Sequence, residues 1–171
     1  MSILIIDDFQ EERDLLFTIL NSAGFGPLLP VGTAREGLQL LGVGKRGKQT
    51  SGIDLVLMDI EMPEIDGLEA CQRIRMEDQL QNLPIIVITA HTEAKDIQAA
   101  YTCGATDYIR KPVIPAELIA RAANALSLKQ EIDARKLREQ ELLERTKELD
   151  HAFEQITTLH GTVHICAKCK R

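Results

Sequence analysis

The stretch DLVLMDIEMPEIDGLEA, residues 54–70, carries a run of four apolar residues, Leu55 to Met58, straight into an aspartate, Asp59. A short, non-alternating apolar run reads as a strand buried on both faces. Met62-Pro63 and Asp66-Gly67 follow at once. A core strand gains nothing for its packing by ending on a carboxylate. Asp59 therefore points to chemistry at the strand's end.

Working outward, similar runs lie at residues 3–6, 28–31, 85–88 and 107–109. Helical patterns separate them. Leu15, Leu16, Ile19 and Leu20 form one apolar face, and Thr33 offers an N-cap for a helix over residues 33–41. Further helices are expected over about residues 68–76 and 93–103, the latter closed by Gly104. A last one begins near Pro115, a residue suited to the first helical turn. Five strands alternating with five helices predict a doubly wound α/β domain over residues 1–124, with right-handed crossovers and both sheet faces covered.

The chain has 171 residues and a formal net charge of -6, which argues against a nucleic-acid-binding surface. From Lys129 onward nine Lys/Arg face eight Asp/Glu, leaving 11 against 18 before it, so the acidity belongs to the N-terminal part. No apolar run approaches the roughly 18 residues a membrane helix needs, and Ile3 to Ile6 pass straight into Asp7-Asp8 without a basic leader. Four cysteines are too few for a disulfide framework in this length. A cytoplasmic protein without membrane contact is the expectation. The Gly-rich segment 42–52, GVGKRGKQTSG, comes within one residue of a phosphate-binding loop. It follows a helix and precedes a strand, the reverse of that motif's context, and reads as a surface loop.

In open α/β sheets ligands bind beyond the carboxyl ends of the strands, where strand order reverses. The first run ends in Asp7-Asp8, the third in Asp59, the fourth in Thr89-Ala90 and the fifth in Arg110-Lys111-Pro112. In the flavodoxin-like order 2-1-3-4-5 the first and third strands are neighbours, so the three aspartates crowd together. Close carboxylates raise one another's pKa unless a cation sits among them. Few ligands, all oxygen, favour Mg²⁺, which keeps several waters and shares its shell with phosphate. Lys111 and the Thr89 hydroxyl can hold the remaining phosphate oxygens. The set describes a phosphoryl-transfer site with Asp59 as nucleophile. Taken singly, each aspartate could merely cap a helix or turn; taken as a set behind successive apolar runs, they point to the site.

ILIIDD, LVLMDIEMPEIDGLEACQRIR, PIIVITA and GATDYIRKPV together resemble the receiver domain of two-component response regulators, over about residues 2–124. The resemblance implies the flavodoxin-like (βα)5 fold and phosphorylation of Asp59 by a histidine kinase or phosphotransfer protein. It implies that Asp8, Asp59 and the main-chain carbonyl of Glu61 ligate Mg²⁺, with Asp7 holding metal-bound water. Lys111 contacts the phosphoryl group in such domains, and its bond to Pro112 is expected to be cis. Thr89, with Ala90 beside it, and Tyr108 take the switch positions. Glu61 and His91, each two residues beyond Asp59 and Thr89, flank the path of attacking water and tune phosphoryl lifetime.

Beyond Leu126 no strand pattern returns. Heptad rows written from Ala125 pass through Leu128, Ile132, Leu142, Leu149, Phe153 and Ile156, interrupted by Arg135, Glu139, Thr146 and His160. The pattern predicts a coiled coil over residues 125–160, continuous with the last receiver helix and joining two chains as a parallel homodimer. From Pro115 to His160 such a helix extends roughly 70 Å at about 1.5 Å per residue. A long helix folded back on its own receiver is the alternative. His151 lies off the seam, but no second hairpin helix or ATP-binding domain follows to make it a kinase histidine. In the tail, residues 161–171, the Cys166–Cys169 spacing with His160 and His164 admits a Zn²⁺ site, against a tail of free thiols. Two functional readings follow: a stand-alone regulator acting through a dimeric coiled coil, or the receiver and linker of a longer regulator. Neither calls for enzymatic activity beyond Mg²⁺-dependent phosphorylation and dephosphorylation of Asp59.

Overall fold

The computed structural model describes residues 1–44, 52–90 and 94–161. Strands β1 (Ser2–Ile6), β2 (Leu28–Val31), β3 (Ile53–Asp59), β4 (Ile85–Thr89) and β5 (Asp107–Arg110) alternate with helices α1 (Gln10–Ser22), α2 (Ala34–Leu41), α3 (Gly67–Arg75), α4 (Ala94–Thr102) and α5 (Pro115–Gly161). The strands form one sheet in the order β2-β1-β3-β4-β5, with every pairing parallel. The flavodoxin-like expectation therefore holds element for element. A 3-10 turn at Asp78–Leu80, not anticipated, leads into β4.

Successive strand residues point to opposite faces, and here both faces are covered. Ile3, Ile5, Leu55, Leu57, Ile86 and Ile88 pack against Leu16, Ile19 and Leu20 of α1 and Leu118 and Ala122 of α5. Leu4, Ile6, Val56, Met58, Ile85 and Val87 pack against Leu38 of α2, Ala70 and Ile74 of α3 and Ala100 of α4. That is why the strands read as unbroken apolar runs. Each fully buried Ile or Leu stabilises the fold by roughly 1.5–3 kcal/mol. Leu15, expected on the buried face of α1, is half exposed, because Leu16, Ile19 and Leu20 already fill the side toward the sheet.

Helix starts follow their caps. Thr33 accepts from the Glu36 amide at the head of α2, as expected. At α3 the Asp66 side chain accepts from the Glu69 amide at 2.7 Å. Its neighbour Gly67 lies so close to β3 that a Cβ there would stand 2.1 Å from the Asp59 carbonyl oxygen. The Asp66-Gly67 pair thus caps the helix and lets it begin directly against the strand end that carries Asp59.

The chain divides into two compact units, Met1–Gln130 and Glu131–Arg171. The core of the first includes Ala125 and Leu126, just past the boundary read at residue 124. In the second, the helix continues without a break to Gly161 and exposes Leu137, Leu142, Leu143 and Leu149. Among the described residues no helix is long and apolar enough to cross a membrane. Most of the Gly-rich segment read as a surface loop (residues 45–51) lies outside the described residues.

Candidate functional site

The parallel order delivers the ends of β1, β3 and β4 and the segment after β5 to one edge. Asp7 follows β1, Asp59 ends β3, Thr89 ends β4, and all three are buried. Lys111 follows β5, and its backbone amide donates to the Thr89 carbonyl at 2.8 Å. The Lys111–Pro112 peptide is cis, as expected. From that anchor Lys111 Nζ reaches Asp59 Oδ2 at 3.0 Å and Asp7 Oδ2 at 3.6 Å.

One member of the site was missed in the sequence. Glu12, in the first turn of α1, forms an ion pair with Lys111. Asp7, Glu12 and Asp59 each offer a carboxylate oxygen within 4.8 Å of one another. The only available signal was position: Glu12 falls one helical turn after Asp8, on the helix that leaves the site. Asp8, expected as a direct ligand, is outside that tight group, although its Oδ1 is buried and accepts no hydrogen bond.

Electrostatics make the cluster costly as it stands. Burial pushes Asp7 up to about 6; the Phe9 amide and Lys111 pull it back, while Asp59 and Glu12 add to the rise. Burial likewise raises Asp59, against the opposing pull of Lys111. Burial alone would lower Lys111, but its pairing with Glu12 and Asp59 outweighs that and holds it firmly protonated. Asp7 Oδ2, Asp8 Oδ1 and both Asp59 oxygens are buried and accept no well-formed hydrogen bond. Buried carboxylate oxygens facing one another are a donor set for a hard divalent cation. The residues present fit Mg²⁺, with Asp7, Asp8 and Asp59 as candidates to hold it.

The remaining expected positions are distributed around this centre. Thr89 lies beside it, Ala90 is exposed next along the chain, and Glu61 is exposed on the loop after β3. Tyr108 on β5 is half-buried and meets Tyr101 of α4 edge-on, with ring centroids 6.0 Å apart. His91, His164, Cys166 and Cys169 lie outside the described residues, as does the side chain of His160. The two described cysteines, Cys71 and Cys103, are free and buried.

The model of the response regulator receiver domain family matches residues 3–123. The chain belongs to that family. Receiver domains bind Mg²⁺ through an acidic cluster and work with histidine kinases or phosphotransfer proteins, and this receiver has the cluster at the expected edge. It is 34% identical over 154 residues to the cyclic di-GMP phosphodiesterase response regulator RpfG of Xanthomonas campestris, covering 88% of this chain and 39% of that protein. It is 36% identical over 120 residues to the transcriptional regulatory protein GltR of Pseudomonas aeruginosa, covering 70% of this chain and 46% of that protein. The chain thus spans less than half the length of either relative. Among solved structures, a response regulator receiver domain protein from Clostridium thermocellum superposes with a TM-score of 0.65 at 26% identity, over 77% of this chain and 98% of that one.

Proposed function

We propose that this receiver accepts a phosphoryl group on Asp59 from a histidine kinase or phosphotransfer protein and passes the resulting state along α5. The observation that carries the reading is the buried Asp59 carboxylate, paired with Lys111 at 3.0 Å inside a cluster of further carboxylates. An Asp59 oxygen attacks phosphorus; the bond from phosphorus to the donor's histidine nitrogen breaks, and its electron pair stays on that nitrogen. When bound, Mg²⁺ supplies charge neutralisation for the transferring phosphoryl oxygens. Lys111 donates to one of those oxygens. Thr89, buried at the end of β4, turns its hydroxyl toward another, and Tyr108 follows into the space released. Glu61 and His91 tune the lifetime of the phosphoryl group in this reading.

The output we assign to α5 is a parallel coiled coil between two copies. Support comes from a helix that runs unbroken from Pro115 to Gly161 while leaving Leu142 and Leu149 at 64% and 70% exposure. Exposed leucines one heptad apart on such a helix suit a partner helix. A second reading, in which the chain is the receiver and linker of a longer regulator, is favoured by the share of RpfG and GltR that it spans. Both readings use the same chemistry at Asp59.

Acetyl phosphate with Mg²⁺ tests that chemistry. Intact-mass spectrometry is expected to show one added phosphoryl group on the wild-type chain and none on Asp59→Asn. Equal labelling of the two would refute the assignment.

A further inference from the structure

Lys111 is shared among three carboxylates, and the three are not equivalent. Asp59 and Asp7 are 2% and 1% exposed, whereas the Glu12 side chain is 41% exposed. An ammonium has three N–H donors and no more. An anion added to Asp59 draws on the same ammonium and so competes with the carboxylates paired with it. Releasing Asp7 would strand a buried charge, which is costly. Releasing Glu12 costs little, because water can solvate its carboxylate at the surface. A cavity of about 160 Å³, lined by Glu12, Leu15, Lys111 and Pro112 among others, leaves the two side chains room to part.

We propose that Glu12 is a positioning residue that tethers Lys111 in the unphosphorylated receiver and competes with a phosphoryl group for it. The proposal rests on Asp59 as the phosphoacceptor and adds a determinant of how tightly the site retains the anion. Lys111 exchanges partners: the Glu12 pair opens, Glu12 hydrates, and the ammonium closes on the new oxygen. No bond other than hydrogen bonds forms or breaks, so the step balances within the site itself. Two alternative roles give different signatures. A metal ligand would change Mg²⁺ affinity first, and a bystander acidic charge would act no differently from any other charge on the same turn.

The test uses the full chain and beryllofluoride as a phosphoryl mimic at saturating Mg²⁺. Tyr101 and Tyr108 are the two tyrosines of a chain without tryptophan, so intrinsic emission reports the switch directly. Glu12→Gln and Glu12→Ala are compared with Glu11→Gln, an exposed neighbour in the same helical turn that carries the same charge. Both Glu12 variants are expected to bind beryllofluoride about three- to fivefold tighter than Glu11→Gln, the scale of a partly exposed ion pair. Their affinity for Mg²⁺ alone, by calorimetry, should match that of Glu11→Gln. Beryllofluoride affinity equal to or weaker than that of the control overturns the tether. So does a tenfold loss of Mg²⁺ affinity confined to the Glu12 variants, which would make Glu12 a metal ligand. If wild-type protein binds Mg²⁺ but no beryllofluoride, Asp59 is not the acceptor and the proposal falls with that reading; if beryllofluoride binds and only the Glu12 comparison is flat, the Asp59 reading stands alone.

Discussion

Lys111 Nζ lies 3.0 Å from Asp59 Oδ2, joining the segment after β5 to the end of β3 across the intervening β4. Removing the ammonium would leave buried carboxylates with no cation among them. Lys111→Met is expected to destabilise the metal-free protein at pH 7 by about 1–3 kcal/mol in urea unfolding, because an orphaned buried charge carries its full desolvation cost. Near pH 5, below the raised pKa of Asp7 at about 6, the difference from wild type should shrink. A loss that is independent of pH would mean that Lys111 contributes packing rather than charge.

Asp7 predicts a pH dependence of opposite sense to that of an ordinary salt-bridged aspartate. Its pKa rises from 3.8 to about 6 on folding, chiefly through burial, so folding favours the protonated acid. That contribution is complete below about pH 4 and is lost as pH climbs through about 6. Asp7→Asn mimics the neutral form at every pH. Without Mg²⁺, its stability advantage over wild type should therefore grow between pH 4 and 7, to about 1–3 kcal/mol. Saturating Mg²⁺ should narrow or reverse it by stabilising the ionised wild-type site. Denaturation midpoints at a series of pH values, with and without Mg²⁺, measure both effects.

Gly67 predicts a steric one. A Cβ at this position would stand 2.1 Å from the Asp59 carbonyl oxygen and 2.9 Å from Ile60 Cα, both backbone atoms that cannot swing aside. Gly67→Ala should cost about 1–3 kcal/mol by forcing α3 off the end of β3. Beryllofluoride affinity should fall as well, because the displaced segment carries Asp59. Thermal melting and tyrosine emission on the same sample separate the two losses.

The edge-on contact of Tyr101 and Tyr108 gives the proposed switch an optical probe. Beryllofluoride with Mg²⁺ should change tyrosine emission in the wild-type chain as Tyr108 turns inward. Thr89→Ala should still bind the anion yet show a much smaller emission change. An unaltered signal in that variant would separate Tyr108 movement from Thr89.

The α5 reading is tested by mass in solution. Leu142→Glu with Leu149→Glu places charge on the expected seam, where desolvating it is prohibitive. Sedimentation should give a dimer for wild type and a monomer for the double variant. The receiver's thermal transition should survive, since both positions lie beyond the Met1–Gln130 unit. A monomeric wild-type chain at high micromolar concentration would end the parallel-dimer reading.

Much of the receiver was legible in the residues because its strands are covered on both faces. Double burial writes each strand as a plain apolar run, as in Leu55 to Met58, and parallel pairing puts whatever follows each run at one edge. Asp7, Asp59, Thr89 and Lys111 could therefore be gathered from order alone. The 3-10 turn at Asp78–Leu80 and the exposure of Leu15 were not legible. Both depend on which neighbours have already filled the available space.

Glu12 was decided only by the tertiary structure. On its own it is one acidic side chain among several near the head of a helix, where acids are common because they suit the helix dipole. Its role depends on the angle at which α1 leaves the sheet and on how far Lys111 reaches from an amide tied to Thr89, and neither distance is written in local sequence. The residues by themselves determined the fold and the acidic edge on which Asp59 lies. Folding decided which carboxylates share the one ammonium, because that sharing depends on three-dimensional separation and burial, which set the strength of a charge interaction.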